Sequence, residues 1–222
     1  MILSNILYRT FFIKADLYGT AFTIHVNGKE FFVTAKHLLK EGVNPFLLKL
    51  FFQEKWHEFS ATLVGHGRGE IDISVFQVPG LKGADFEVIP SEGELVFGQD
   101  VYFLGFPYKM WNDVGNLMGG LPCAFAKKGT VSSIGVGDPR ILYIDAINNE
   151  GFSGGPLFFS PANKPHEVRI VGVVSKFRTE SEAVVDAAGE RTDMSVPLNT
   201  GFLVAYGIKH ALDIIQSTQA FG

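Results

Sequence analysis

The sequence is poor in cysteine, with only Cys123 among its 222 residues. A single thiol cannot form an intrachain disulfide, so packing and hydrogen bonds must hold the fold together. Long apolar runs are also missing, since Asn5, Arg9 and Lys14 interrupt the apolar residues of the N-terminus. This segment lacks the features of a secretory signal, and no other segment has the length of a transmembrane helix. We therefore expect a cytoplasmic protein without a membrane partner.

Basic charge is scarce as well, because 19 Lys and Arg stand against 23 Asp and Glu, for a formal net charge of −4. No run of basic residues could follow a phosphate backbone, so we do not expect nucleic acid as a partner. Hydrophobic residues make up 46% of the chain, including 21 Phe, which excludes a disordered chain and supplies a sizeable core. The composition leaves the oligomeric state open.

Short strand-like segments, separated by Gly, Asn and Pro, are the most frequent pattern in the sequence. Residues 19–26 and 29–35 flank Asn27-Gly28, which predicts a β-hairpin with a tight turn. Residues 208–216 have helical spacing of their apolar side chains. Further predicted strands cover residues 59–66, 71–78, 100–106, 129–135, 140–147, 166–177 and 200–207. The number and spacing of the strands predict an all-β sandwich or a pair of barrels.

Three segments lack clear strand patterns. Residues 81–98 contain several glycines and Pro90, and we interpret them as a linker between two halves. Residues 107–127 and 178–197 are predicted to be long loops.

The residues Gly-Phe-Ser-Gly-Gly-Pro at positions 151–156 are the most informative motif. A hydroxyl nucleophile needs a turn that projects it from the backbone, with main-chain N–H groups close by. Glycines permit such a turn because they lack a Cβ atom. The simpler alternative is a glycine-rich turn between two strands. We interpret Ser153 as a candidate nucleophile.

A serine hydroxyl needs a base, and the base needs an acid that orients it. His37 ends a β-rich segment, and Asp72 begins an apolar one, where a carboxylate is costly to bury without a partner. Taken alone, His37 is compatible with a structural residue and Asp72 with a turn or cap. Together with Ser153 they predict a catalytic triad in the order His, Asp, Ser.

These segments resemble the motifs of chymotrypsin-like serine peptidases. TAKH is similar to the family's T-A-A-H motif, DISVFQV to D-I-A-L-L, and GFSGGP to G-D-S-G-G-P. VYFLGFP resembles a V-x-x-I-G-x-P segment of the disulfide-free bacterial peptidase domains of HtrA type. The resemblance extends from Gly19 to Ile215.

The resemblance implies an all-β fold of two six-stranded antiparallel Greek-key barrels with a C-terminal helix. The first barrel, predicted to span residues 1–92, would carry His37 and Asp72. The second, predicted to span residues 93–222, would carry Ser153 and the helix. The implied reaction is hydrolysis of a polypeptide substrate through an acyl-enzyme, without a metal or cofactor.

The family mechanism gives each matching residue a role. His37 would take the proton of Ser153, and Asp72 would orient the imidazole. The main-chain N–H groups of Gly151 and Ser153 would form the oxyanion hole. Ser175 matches the family serine that donates a hydrogen bond to the triad aspartate.

The same resemblance assigns residues to substrate binding. Ser175, Lys176 and Phe177 would pair with the substrate as an added strand. Ile147, Phe177 and Gly201 match the positions that line the pocket for the P1 side chain. None of these residues is acidic, so we do not expect a preference for Arg or Lys. Phe177 stands where larger pockets of the family have Gly, so we expect a small or medium apolar P1 residue.

Phe152 departs from the family pattern. Members that are activated by cleavage have Asp at this position, which pairs with the new N-terminus. That ion pair cannot form here, so we do not expect activation by N-terminal cleavage. Three alternatives remain open: a pseudo-protease that binds or scaffolds peptides, a latent protease that needs an activator, and an esterase with little amidase activity.

Overall fold

A computed structural model describes residues 4–83 and 88–219 of the chain. The α-helices in this part are α1 (Ser4–Leu7) and α2 (Lys209–Gln219). Short 3₁₀ helices cover Lys36–Leu38, Pro107–Lys109 and Gly115–Met118. The strands are β1 (Thr10–Lys14), β2 (Tyr18–Val26), β3 (Lys29–Thr34), β4 (Phe46–Phe52), β5 (Lys55–His66), β6 (Ser74–Gln77), β7 (Ile89–Pro90), β8 (Asp100–Gly105), β9 (Phe125–Ile134), β10 (Ile141–Asp145), β11 (Pro156–Phe159), β12 (Arg169–Val185) and β13 (Arg191–Gly207).

The first six strands form a closed barrel in the order β1-β2-β3-β6-β5-β4. Strands β2 and β3 form the hairpin that the sequence predicts, with Val26 opposite Lys29. Its turn residues Asn27 and Gly28 have φ values of 51° and 74°. Asn and Gly tolerate these left-handed conformations, and such a turn matches the twist of the two strands. Strands β3 and β6 then pair so that Thr34 lies opposite Ser74.

The second sheet closes on itself in the order β11-β8-β9-β10-β13-β12, because β11 also pairs with β12. The two-residue strand β7 joins the outer side of β12 in parallel orientation. The structure therefore confirms the predicted fold class of two six-stranded antiparallel barrels followed by a helix, with β7 as an addition. The predicted division of the chain between residues 92 and 93 stays a prediction.

Buried apolar side chains from both barrels and from α2 form one shared cluster, which includes Phe22, Phe106 and Ile170. Ile215 of helix α2 and Ile208, the residue just before the helix, are both fully buried in this cluster, as the helical spacing predicts. Each such side chain contributes about 1.5–3 kcal/mol when it leaves water. The shared cluster holds the two barrels together, and the motifs described above lie on the segments around it.

The prediction of a long loop over residues 178–197 is wrong. Strands β12 and β13 continue through this segment as a hairpin, with Glu182 opposite Val196. Most of its side chains are exposed on both faces, so the segment has no buried face that would produce an alternating pattern. The other predicted loop, residues 107–127, contains two 3₁₀ helices and a β-bridge between Asn112 and Cys123. Its last three residues belong to β9.

Candidate active site

His37 and Asp72 come together because β3 and β6 are neighbours in the first barrel. His37 lies in the 3₁₀ helix that follows β3, and Asp72 lies just before β6. The main-chain N–H of His37 donates to Asp72 Oδ1 at 2.9 Å, and His37 Nδ1 lies 2.7 Å from Asp72 Oδ2. The antiparallel register therefore fixes the imidazole against the carboxylate.

Asp72 has a third donor from the second barrel. The hydroxyl of Ser175, a buried residue on β12, donates to Asp72 Oδ2 at 2.5 Å. Burial alone raises the pKa of the Asp72 carboxyl, but the hydrogen bonds from His37 and Ser175 outweigh it and hold the pKa below its usual value. Asp72 is thus a carboxylate at neutral pH, while the side chain of His37 is 42% exposed.

The turn that carries Ser153 has the conformation its glycines allow. Gly151 and Gly154 have φ values of 99° and 81°, and a Cβ atom on Gly154 would lie 2.1 Å from the main-chain oxygen of Thr20. The main-chain N–H of Thr20 donates to Ser153 O at 2.9 Å, and Gly154 N–H donates to Val174 O at 2.7 Å. These bonds hold the turn between β2 of the first barrel and β12 of the second.

The hydroxyl of Ser153 donates to the main-chain oxygen of Ser175 at 2.9 Å. Within the described part of the chain, it makes no hydrogen bond to the His37 ring. Ser175 consequently contacts both sides of the site, with its own hydroxyl on Asp72 and its carbonyl on Ser153. The hydroxyl of the candidate nucleophile is thus bonded to β12.

The main-chain N–H groups of Gly151 and Ser153 donate no hydrogen bond to any residue of the described ranges. The neighbouring carbonyls are occupied: Gly151 O accepts from Thr20 Oγ1 at 2.7 Å, and Glu150 O accepts from Tyr108 N–H at 3.0 Å. In a trans peptide the C=O and N–H groups point in opposite directions. The Gly151 N–H therefore points away from Tyr108.

The predicted P1 pocket is less well formed. Ile147 is 61% exposed, and Phe177 lines a cavity of about 400 Å³ together with Tyr143. Neither Ile147 nor Gly201 lines that cavity, so the structure does not bring the three pocket residues into one cavity. Lys176 lies on β12 with its side chain exposed. This exposure is compatible with the predicted role, because pairing with a substrate strand uses the main chain.

Sequence reasoning missed several residues that hold the site. Thr20 binds the serine turn through its N–H and its hydroxyl, and Lys127 donates to residues just before that turn. No motif or spacing connects these positions with Ser153. In residues 4–83 and 88–219, no three His, Cys, Asp or Glu side chains are close enough together to hold a metal ion. No helix of these ranges has the length and apolar character to cross a membrane.

Comparison with known families identifies the class of protein. Residues 19–164 match the model of the trypsin-like peptidase domain, which is more than half of the 222 residues. The chain therefore belongs to the trypsin-like peptidase family. No curated protein sequence matches the chain.

Solved structures with the same fold include two bacterial proteases. The HtrA-type protease AlgW, solved with a tripeptide, matches with a TM-score of 0.61 and 19% identity over 96% of this chain. The match covers 61% of the AlgW chain, so this chain spans less than two thirds of that relative. The inactive form of the Rv3671c protease matches with a TM-score of 0.58 and 19% identity, over 97% of this chain and 91% of its own. A serine-to-alanine mutant of Rv3671c from M. tuberculosis, also in the inactive form, has 18% identity and a TM-score of 0.59, over 98% and 89% of the two chains.

Proposed function

We propose that the protein is a serine endopeptidase with His37, Asp72 and Ser153 as its catalytic triad. One observation carries the proposal: Ser175 accepts a hydrogen bond from Ser153 and donates one to Asp72, which also binds His37. All three triad residues therefore meet within one hydrogen-bonded network at the junction of the barrels. Membership of the trypsin-like peptidase family supports the same conclusion.

The reaction would begin when Ser153 Oγ turns from Ser175 O toward His37. His37 Nε2 takes the hydroxyl proton while Ser153 Oγ forms a bond to the substrate carbonyl carbon. The proton on His37 then passes to the leaving amine as the C–N bond breaks. A water molecule then attacks the carbonyl carbon of the acyl-enzyme while His37 takes its proton. His37 returns that proton to Ser153 Oγ as the ester bond breaks and the carboxylic acid product leaves. Asp72 holds the His37 tautomer and stabilises the imidazolium through the 2.7 Å contact.

The tetrahedral intermediate would place its oxyanion on the N–H groups of Gly151 and Ser153. Both donors are unoccupied, and the loop carbonyls beside them are already bonded, so little reorganisation is needed. Loss of one such donor typically costs about 2.7–4 kcal/mol of transition-state stabilisation.

The substrate is a polypeptide bound as an added strand along Ser175, Lys176 and Phe177. The main-chain N–H of the P1 residue would donate to Ser175 O, which accepts from the Ser153 hydroxyl in the free protein. No acidic side chain at Ile147, Phe177 or Gly201 would bind Arg or Lys, and the bulk of Phe177, where larger pockets of the family have Gly, favours a small or medium apolar P1 residue. A library of peptide substrates varied at P1 tests this preference, and a profile dominated by Arg or Lys contradicts it.

A second candidate is a peptide-binding protein or a latent protease that needs an activator. The bond from Ser153 to Ser175 O favours it, because in the described ranges the hydroxyl donates to that oxygen and not to the His37 ring. Such a protein would keep the triad residues and bind a strand on β12 without hydrolysing it.

The first test is labelling of the purified protein with a fluorophosphonate, with the adduct mapped by mass spectrometry. Ser153→Ala and His37→Ala serve as matched variants, and Ser181→Ala on the exposed part of β12 as the control. Labelling at Ser153 that only the first two substitutions abolish supports the proposed triad. A folded wild type that is not labelled favours the second candidate. Parallel assays with ester and amide substrates of one sequence separate an esterase from a peptidase.

A further inference from the structure

Phe152, the residue before Ser153, is fully buried and packs edge-on against Phe103, with ring centroids 5.1 Å apart. It occupies the position where members of the family activated by cleavage have the aspartate that fixes this loop. An apolar ring provides no charged anchor for residues 147–152. The loop that carries the proposed oxyanion hole therefore needs another means of support.

Lys127 contacts this loop at three points. Its ammonium donates to the main-chain oxygen of Ile147 at 2.7 Å and to Asn149 Oδ1 at 2.5 Å. It also lies 5.4 Å from the centre of the Phe152 ring, within the range of a cation–π interaction. Lys127 itself lies on β9, which pairs with β8 at Phe103. A charged donor is thus held by a paired strand and directed at the loop.

Asn149 extends this contact to the peptide that bears the oxyanion donor. Its Nδ2 donates to the hydroxyl of Tyr108 at 3.0 Å, and the main-chain N–H of Tyr108 donates to Glu150 O at 3.0 Å. Tyr108 has a φ of 52°, a left-handed conformation that costs a non-glycine residue free energy. The side chain of Asn149 helps to hold Tyr108 there, and Tyr108 in turn sets the direction of the Gly151 N–H.

We propose that Lys127 is a positioning residue that holds the oxyanion loop, residues 147–152, in its competent conformation through Asn149 and Tyr108. The inference rests on the proposed function, since it assigns a further residue to the same site. Hydrogen bonds from a charged donor are about twice as strong as neutral ones, which suits this role.

Lys127→Met removes the ammonium but keeps most of the side-chain length. We expect kcat for a peptide substrate to fall about 10- to 100-fold, less than the loss of an oxyanion donor itself, with KM nearly unchanged. The substrate strand would pair with the main chain of β12, and the side-chain contacts of Lys127 given above are all with the loop of residues 147–152, so main-chain pairing of the substrate is preserved. Lys127→Arg keeps the charge and should recover part of kcat. Lys128→Met is the control, because the side chain of Lys128 is exposed and forms its ion pair with Asp100 at 2.8 Å.

Hydrogen–deuterium exchange gives a measurement that does not depend on activity. Lys127→Met should increase exchange in peptides that cover residues 147–153, and Lys128→Met should not. If the first variant does not fold, Asn149→Ala should produce the same increase and the same loss of kcat. Equal exchange and equal kcat for the Lys127 and Lys128 variants would overturn the inference. Failure of the wild type to react with a fluorophosphonate would instead contradict the proposed function, whatever the exchange result.

Discussion

The two barrels differ in how their residues of the candidate site are bonded in the free protein. In the first barrel, His37 and Asp72 are in contact in the free protein, because the register of β3 and β6 places them together. In the second barrel, Ser153 lies in a turn that its neighbouring glycines allow. Its hydroxyl donates to Ser175 O and not to the imidazole. The pair of His37 and Asp72 is set by strand pairing, whereas the serine turn is held by main-chain bonds to both barrels and the loop before it by side-chain contacts of Lys127 and Asn149.

This difference indicates which part of the candidate site can change without unfolding of a barrel. Strand register cannot change without unfolding the first barrel, so the main chains of His37 and Asp72 stay adjacent. The Ser153 hydroxyl needs only a rotation about its side-chain bond to leave Ser175 O. A substrate strand that occupies Ser175 O would displace the hydroxyl and complete the triad.

The largest effect on kcat is expected when the pair of His37 and Asp72 is broken. Asp72→Asn keeps the shape of the side chain but removes its charge and favours the wrong His37 tautomer. We expect kcat to fall about 10⁴-fold, as is typical of this change in Ser-His-Asp triads. Steady-state kinetics with one peptide substrate measure it, and Asp145→Asn on the exposed edge of β10 is the control. Equal kcat values for the two variants would contradict the role of Asp72.

The next effect concerns the serine turn. Gly154→Ala places a Cβ atom 2.1 Å from Thr20 O at a φ of 81° and should lower the free energy of unfolding by about 3 kcal/mol. Gly189→Ala, in the hairpin turn, has a similar φ of 84° but no atom within 4 Å, and should cost about 1 kcal/mol. Denaturant unfolding compares the two. Equal losses would mean that strain alone, and not the contact between the barrels, governs the turn.

Much of the first barrel's contribution could be predicted from the sequence. The segments around His37 and Asp72 combine strand patterns with polar residues at strand ends, and both signals are local. The contacts of Lys127 with Ile147 and Asn149 could not be predicted, because they join residues about twenty positions apart without a repeating pattern. The outer part of the β12–β13 hairpin, residues 178–197, could not be predicted for a different reason, since a strand exposed on both faces has no hydrophobic alternation.

A smaller effect is expected at Ser175, the residue that connects the two barrels. Ser175→Ala removes one donor to Asp72 but leaves the main-chain oxygen that accepts from Ser153. We expect kcat to fall about tenfold, in keeping with the loss of one hydrogen bond to a charged group. Ser181→Ala, on the exposed part of the same strand, should leave kcat unchanged. A loss as large as that of Asp72→Asn would show that Ser175 does more than support the aspartate.

The smallest effect is on stability at low pH. The pKa of Asp72 is lower in the folded chain than its ordinary value, so its hydrogen bonds stabilise the fold fully above about pH 4. This contribution is lost as the pH falls through the lowered pKa and the carboxylate is protonated. Unfolding free energies measured between pH 7 and pH 3 should therefore fall more steeply for the wild type than for Asp72→Asn. Parallel curves would contradict the lowered pKa.

The measurement that tests the central claim most directly is capture of the acyl-enzyme. The protein is mixed with a peptide ester, quenched with acid within the first turnover and digested for mass spectrometry. We expect the acyl group of the substrate on Ser153 in the wild type and none in Ser153→Ala. Hydrolysis without an adduct on Ser153, or hydrolysis that persists in Ser153→Ala, would contradict a mechanism in which the two barrels join to make Ser153 the nucleophile.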